Sequence, residues 1–356
     1  MELSKPFLPE YRIDDPKKKS ADDPAEDNLA PLKYPFGEEI RGGSFAKIHG
    51  LYDLEGKDTK WLAKEADDKY SPPFFNRFKI NFSREKFSNF LEKILGPGFK
   101  IKADKEFIKN GLLEYVLIKK YFGSNADAKS DQNKTETDSE AIGEIKENAG
   151  AQIIRELQDE NSVFFKELLN AAGGKEGIEK ISEVMEKNKD YNFLPKEHLV
   201  VGHPSSLSRQ EAEDMQARGE KLPMTYYIIQ EWIKGEEVAP LFEMDDEELE
   251  KHPAMVEKLL TFLVLAKKMY IDTGKLIDTR PEEVGKHPLE WFNKTGNILV
   301  DKKTDQVHFV DTRWLWDKKS RLGEGGLNII KLLFVGSIDK SIEKYTAMLT
   351  RIELNQ

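Results

Sequence analysis

Residues suited to holding a phosphorylated ligand are spread along the chain. Ile40-Arg41-Gly42-Gly43-Ser44-Phe45-Ala46-Lys47-Ile48 is a glycine-containing turn between two strand-like stretches. Where side chains are missing, backbone N–H groups can approach phosphate oxygens, although an ordinary hairpin turn has the same appearance. Lys64 stands in the next strand-like stretch, in an otherwise apolar run, where a cation faces solvent, a phosphate or a helix glutamate. Ile228-Ile229-Gln230-Glu231-Trp232-Ile233-Lys234-Gly235 carries a strand into a glycine, so the carbonyl of Glu231 and the N–H of Ile233 can face a flat base. A buried strand ending in a turn reads the same way. Asp278-Thr279-Arg280-Pro281 follows a long helical pattern and Gly274. Asn297 and Asp311 flank a hairpin pattern and offer hard oxygen donors of the kind that suit Mg2+ bridging phosphates. Taken alone, each Asp serves equally well as a cap or turn residue.

Composition narrows the chemistry. The 356 residues include 55 Lys+Arg and 65 Asp+Glu, a formal net charge of −10, and no cysteine. Disulfides, thiolate metal sites and cysteine nucleophiles are therefore excluded. The six histidines include no H-x-x-x-H pair, and a zinc site is not expected. The acidic balance argues against a broad nucleic-acid-binding surface. The longest apolar run covers eight residues, Leu259 to Ala266, against the roughly 20 that a membrane span needs. Met1 to Lys5 opens no signal-peptide core, and the expectation is a cytoplasmic protein.

The elements that must position these residues follow from periodicity. Residues 1–33 read as a disordered tail, broken by Pro6, Pro9, Pro16, Pro24 and Pro31. Strand-like stretches run from Tyr34 to Glu65, with turns at the glycines and at residues 54–58. Helices are expected over 83–95 and 105–122. Ser124–Ala141 has linker composition, and 142–190 reads as three amphipathic helices with a break at Gly173-Gly174. Short strands at 199–201 and 226–229 are separated by a polar, charged loop. Val256, Leu259, Leu260, Leu263, Ala266 and Met269 mark a helix of about four turns. A hairpin spans 298–310, and the last helix or two lie within 325–352.

In this order the motifs resemble the protein-kinase-like superfamily, nearest to its aminoglycoside-phosphotransferase and atypical-kinase branches, over about residues 36–320. The resemblance implies an α+β, two-lobed fold. Residues 34–123 and 194–232 would form a small β-rich N-lobe, and 233–356 a short, mainly helical C-lobe. Residues 124–193 would be a linker plus helical insertion. It further implies ATP and Mg2+ as ligands. Gly43, Ser44, Phe45 and Ile48 would cover the nucleotide. Lys64 would hold the α/β-phosphates, paired with a helix glutamate, best matched by Glu114 with Glu85 and Glu92 as rivals. Gln230, Glu231 and Ile233 would receive adenine, Asp278 would be the base, and Asn297 and Asp311 the metal ligands.

The departures carry information as well. Arg41 and Ala46 replace the outer two glycines, and Thr312-Arg313 stands where Phe-Gly is usual. Asn297 follows Asp278 by 19 residues, against about five in the family motif, so Glu282–Thr295 reads as inserted. No Ala-Pro-Glu signature follows Asp311, and 45 residues remain, which is short for a peptide-substrate platform. The expectation is an ATP/Mg-dependent phosphotransferase acting on a small-molecule or unidentified hydroxyl acceptor, with AMP transfer as an open variant. The alternative is a pseudokinase, a nucleotide-binding scaffold whose helices 142–190 engage a protein partner.

Overall fold

The computed structural model describes residues 9–12, 29–31, 36–42, 46–52, 58–66, 115–123, 149–202, 207, 209–220, 222–223, 225–277, 297–310, 314–317 and 335–355. The content is mixed α and β, and the chain divides into two compact units. The first comprises Met1–Leu113 and Lys196–Trp232, the second Glu114–Pro195 and Ile233–Gln356.

The first unit is built on a seven-stranded sheet. Its strands are β1 (Pro9–Arg12), β2 (Leu29–Pro31), β3 (Phe36–Gly42), β4 (Ala46–Tyr52), β5 (Asp58–Ala66), β6 (Glu197–Gly202) and β7 (Thr225–Glu231), in the order β2-β1-β6-β7-β5-β4-β3. All neighbouring pairs are antiparallel. β7 is rich in β-branched and aromatic residues, and Tyr226, Tyr227 and Ile228 are buried, as suits a central strand flanked on both edges. β3, β4 and β5 form the meander expected between Tyr34 and Glu65. Within the segment expected as a tail, β1 and β2 are paired strands: Tyr11 sits opposite Val201 and Arg12 opposite Val200. The free edge of β6 supplies the partner, which no composition displays. Pro9 and Pro31 face each other at the sheet margin, where a missing N–H is tolerated.

The second unit is mainly helical. It contains helix α1 (115–122), α2 (Ala149–Leu157), α3 (Val163–Ala171) and α4 (Lys175–Asn188). The first unit's α5 (Arg209–Ala217) lies between β6 and β7 in sequence. The sequence reads as a polar loop there, because only Ala212, Met215 and Ala217 interrupt its charged and amide residues. The second unit continues with β8 (Val238–Pro240), α6 (Asp246–Glu250), α7 (Pro253–Thr273), β9 (Lys275–Ile277), β10 (Ile298–Asp301), β11 (Gln306–Phe309), β12 (Trp314–Asp317) and α8 (Gly336–Leu354).

Helix α7 is the axis of this unit. Every residue from Leu259 to Met269 is buried, as in a helix packed on all sides. Pro253 opens it without wasting a helical hydrogen bond. Gly274 closes it in the left-handed conformation, φ 70°, its N–H donating to the Tyr270 carbonyl. Helices α2, α4 and α8 pack on α7. The apolar faces of the three helices read as an insertion are therefore inside this core: Ile153, Leu157, Phe164, Leu168, Ile178 and Ile181 belong to it. The double glycine ahead of α4 has positive φ at both residues, 73° and 111°, which only glycine adopts at little cost.

Candidate functional site

The expected site residues fall on both units, and each half is built by its own elements.

In the first unit the strand register decides which residues share a face. β4 and β5 place Ile48 opposite Lys64, and β5 and β7 place Lys64 opposite Ile228 and Leu62 opposite Gln230. Cross-strand partners share a face, and residues two apart along a strand share it too. Ile48, Leu62, Lys64, Ile228 and Gln230 thus line one face of the sheet. Trp61, Ala63, Tyr227 and Ile229 pack together on the other. Lys64 is half-buried. Gln230 is only 1 % exposed, and its amide Nε2 donates to Oε2 of Glu197 at 3.1 Å. Glu197, opposite Gln230 in register, is itself 5 % exposed. The Glu231 N–H donates to the Lys196 carbonyl at 2.7 Å, fixing the end of β7. The glycine turn closes between Gly42 and Ala46, with Gly42 opposite Lys47. Gly43, Ser44 and Phe45 lie outside the described residues, as do Glu85, Glu92 and Glu114.

Sequence reasoning did not single out Glu197. It precedes the apolar run Leu199-Val200-Val201 and reads as a flanking charge. Only the pairing of β6 with β7 puts it beside Gln230.

In the second unit two strand pairings organise the acidic end. β10 and β11 form the expected hairpin, with Ile298 opposite Phe309, and the Val310 N–H donates to the Asn297 carbonyl at 2.9 Å. Asn297 is half-buried. β9, which ends at Ile277, pairs with β12, Ile277 opposite Trp314. Asp278 and Asp311 lie outside the described residues, but their chain neighbours are anchored. Val310 and Trp314 are four residues apart, at most about 14 Å of extended chain. Asn297 is tied to one end of that stretch and Ile277 to the other. Ile277 and Asn297, 20 positions apart in sequence, are thus tied to the two ends of one four-residue stretch.

An aromatic cluster holds this hairpin on α7. Phe262 lies 4.9 Å from Phe122, 5.4 Å from Phe193 and 5.3 Å from Phe309, ring centre to ring centre. The backbone repeats the link: Phe309 N–H donates to the Phe193 carbonyl at 2.7 Å, and Phe193 N–H to the Phe122 carbonyl at 2.9 Å. The turn is fixed at its far end as well. Thr304 donates to Asp301 at 2.7 Å, and the His252 ring pairs with Asp305 at 2.7 Å. Burial works to raise the Asp301 carboxyl, but hydrogen bonds from Thr304 and the backbone N–H groups of Lys303 and Thr304 outweigh it and hold it below the usual carboxylate range.

Ile233 is half-buried at the start of the second unit's second segment. Among the described residues, no group of three or more His, Cys, Asp or Glu is placed to hold a metal ion. The residues expected to hold Mg2+ are Asn297 and Asp311, whose carboxamide and carboxylate oxygens are donors of the right hardness. Among the described residues, no helix is long and apolar enough to cross a membrane.

No family model, no curated protein and no solved structure matches the chain.

Proposed function

We propose that the protein is an ATP- and Mg2+-dependent phosphotransferase of protein-kinase-like, two-lobed fold that phosphorylates a hydroxyl group on a small-molecule acceptor. The observation that carries this reading is the common sheet face of Ile48, Leu62, Lys64 and Gln230. The glycine turn joins the first two strands of a meander, and the lysine sits on the third, the order in which kinases cover the phosphates and contact them. The boundary after Trp232, inside the stretch read as receiving the base, is consistent with it. Support for the acidic half comes from the anchoring of Asn297 and Ile277 to the two ends of the 310–314 stretch.

In this reading Lys64 and the glycine-turn backbone hold the triphosphate, and the end of β7 receives adenine. Asp278 accepts the proton of the acceptor hydroxyl. The hydroxyl oxygen forms a bond to the γ-phosphorus, and the bond from that phosphorus to the β,γ-bridging oxygen breaks. ADP leaves with the electron pair, and the proton passes from Asp278 to solvent. Asn297 and Asp311 would hold Mg2+, which would supply charge neutralisation for the transfer. Catalysis in such a site is positioning and electrostatics rather than covalent chemistry.

The test is ADP release from Mg-ATP by the purified full chain against a panel of hydroxylated acceptors, with label at the α- or γ-position to separate AMP from phosphate transfer. Asp278→Asn and Asp311→Asn should each lower turnover by about 100-fold or more. Turnover equal to wild type in both variants would refute the reading.

The buried apolar faces of α2, α3 and α4 favour packing over partner binding for these helices. Val163, 68 % exposed, is the one large hydrophobic residue of the three helices that is exposed.

A further inference from the structure

Gln230 and Glu197 form a buried polar pair on the sheet face that carries Lys64. A carboxylate offers only acceptors, whereas a glutamine amide offers a donor end and an acceptor end. The contact at 3.1 Å therefore fixes which end of Gln230 faces Glu197: the NH2 group. Turning the amide over would set its oxygen against a carboxylate oxygen inside a buried site, a mismatch that costs the hydrogen bond and the desolvation of both groups. The acceptor end of the amide, Oε1, is consequently the end not engaged by Glu197.

We propose that Glu197 is a positioning residue for base selection. By holding the Gln230 amide in one orientation, it presents an acceptor to the 6-position of a purine. Adenine carries an amino donor there. Guanine and hypoxanthine carry a carbonyl oxygen, which meets Oε1 as acceptor against acceptor. A site built to pair with a substrate polar group rejects analogues that leave buried groups unpaired. This inference rests on the nucleotide-binding reading of the same face, and it adds the base preference and the residue that sets it.

The experiment measures dissociation constants of the Mg2+ complexes of ATP, GTP, inosine triphosphate and purine riboside triphosphate, which lacks any 6-substituent, on the full chain. Wild type should bind ATP most tightly, the unsubstituted purine less tightly and inosine triphosphate more weakly still. Glu197→Gln is nearly isosteric but lets the pair adopt either amide orientation. It should reduce the ATP-to-inosine-triphosphate preference about tenfold, one hydrogen bond's worth. A merely structural role for Glu197 would change stability or all affinities together and leave the ratio intact. The same ratio in Glu197→Gln as in wild type, or a wild type indifferent to the 6-position, overturns the proposal while leaving nucleotide binding in place. Failure to bind any of the four nucleotides overturns both. If Glu197→Gln does not fold, Gln230→Met, which removes the oriented amide, takes its place: it should lower the same ratio, and an unchanged ratio overturns the proposal.

Discussion

Lys267 and Lys268 are adjacent on the central helix and each is only 2 % exposed. Such cations persist inside a protein only when paired. Lys267 meets Asp339 of α8, and Lys268 meets Asp272 and, at 3.0 Å, Glu156 of α2. The carboxylates remain partly solvated while the ammonium groups do not, so the two members of a pair are not equivalent. Asp339→Ala strands a buried charge and should cost about 3 kcal/mol. Lys267→Met leaves a half-exposed carboxylate that water can serve, and should cost under about 1.5 kcal/mol. Urea unfolding of the two variants checks the asymmetry, and the reverse order would contradict it. Tyr121 closes the Lys268 cluster by donating to Asp272 at 2.7 Å. Burial first, then the hydrogen bond and charge of Asp272, push its phenol far above the usual range. Tyr191 and Tyr270 are also raised by burial. A group whose folded pKa is raised contributes stability that is complete below its unfolded value, about 10 for tyrosine, and is lost as pH climbs beyond it. Stability should fall above about pH 10, and Tyr121→Phe should make that decline shallower by up to about 1.4 kcal/mol per pH unit. An unchanged slope in the variant would contradict this.

Elements differ in how plainly the sequence announces them. Helix α7 is legible because Leu259, Leu260, Leu263 and Ala266 recur at helical spacing through a long apolar run, and its stop is legible in Gly274. The hairpin β10–β11 is legible from two short apolar runs around a polar turn. Helix α5 is not, because Ala212 and Met215 are too few to mark a face. Strands β1 and β2 depend on the edge of β6, and β9 and β12 on each other; short pairings of distant segments leave no local period to read. The same limit hides part of the site. Lys64, Gln230 and Asn297 stand out by type and order, whereas Glu197 gains meaning only from register, and Gly43, Asp278 and Asp311 lie outside the described residues. What fixes the β10–β11 hairpin is also non-local: Phe262 on α7, with Phe122, Phe193 and Phe309 around it. Phe262→Ala removes the central ring and should destabilise by about 3–5 kcal/mol, with loss of Mg2+-dependent behaviour as the hairpin loosens. A cost below about 1 kcal/mol in chemical denaturation would show that the cluster does not anchor it.

At the scale of the whole molecule, the chain places a sheet with a lysine-bearing face in one unit and a helical core carrying the β10–β11 hairpin in the other. The central claim is that one ligand, ATP, binds with metal dependence and through Lys64. A ligand that binds only the folded state stabilises it by about 2.7 kcal/mol at 100 times its dissociation constant. Thermal unfolding of the full chain with ATP, with and without Mg2+, on wild type and Lys64→Ala, reads this directly. The account predicts a rise of several degrees in wild-type Tm that needs Mg2+ and disappears in Lys64→Ala. No Mg-ATP-dependent rise in wild type, or the same rise in Lys64→Ala, would contradict it.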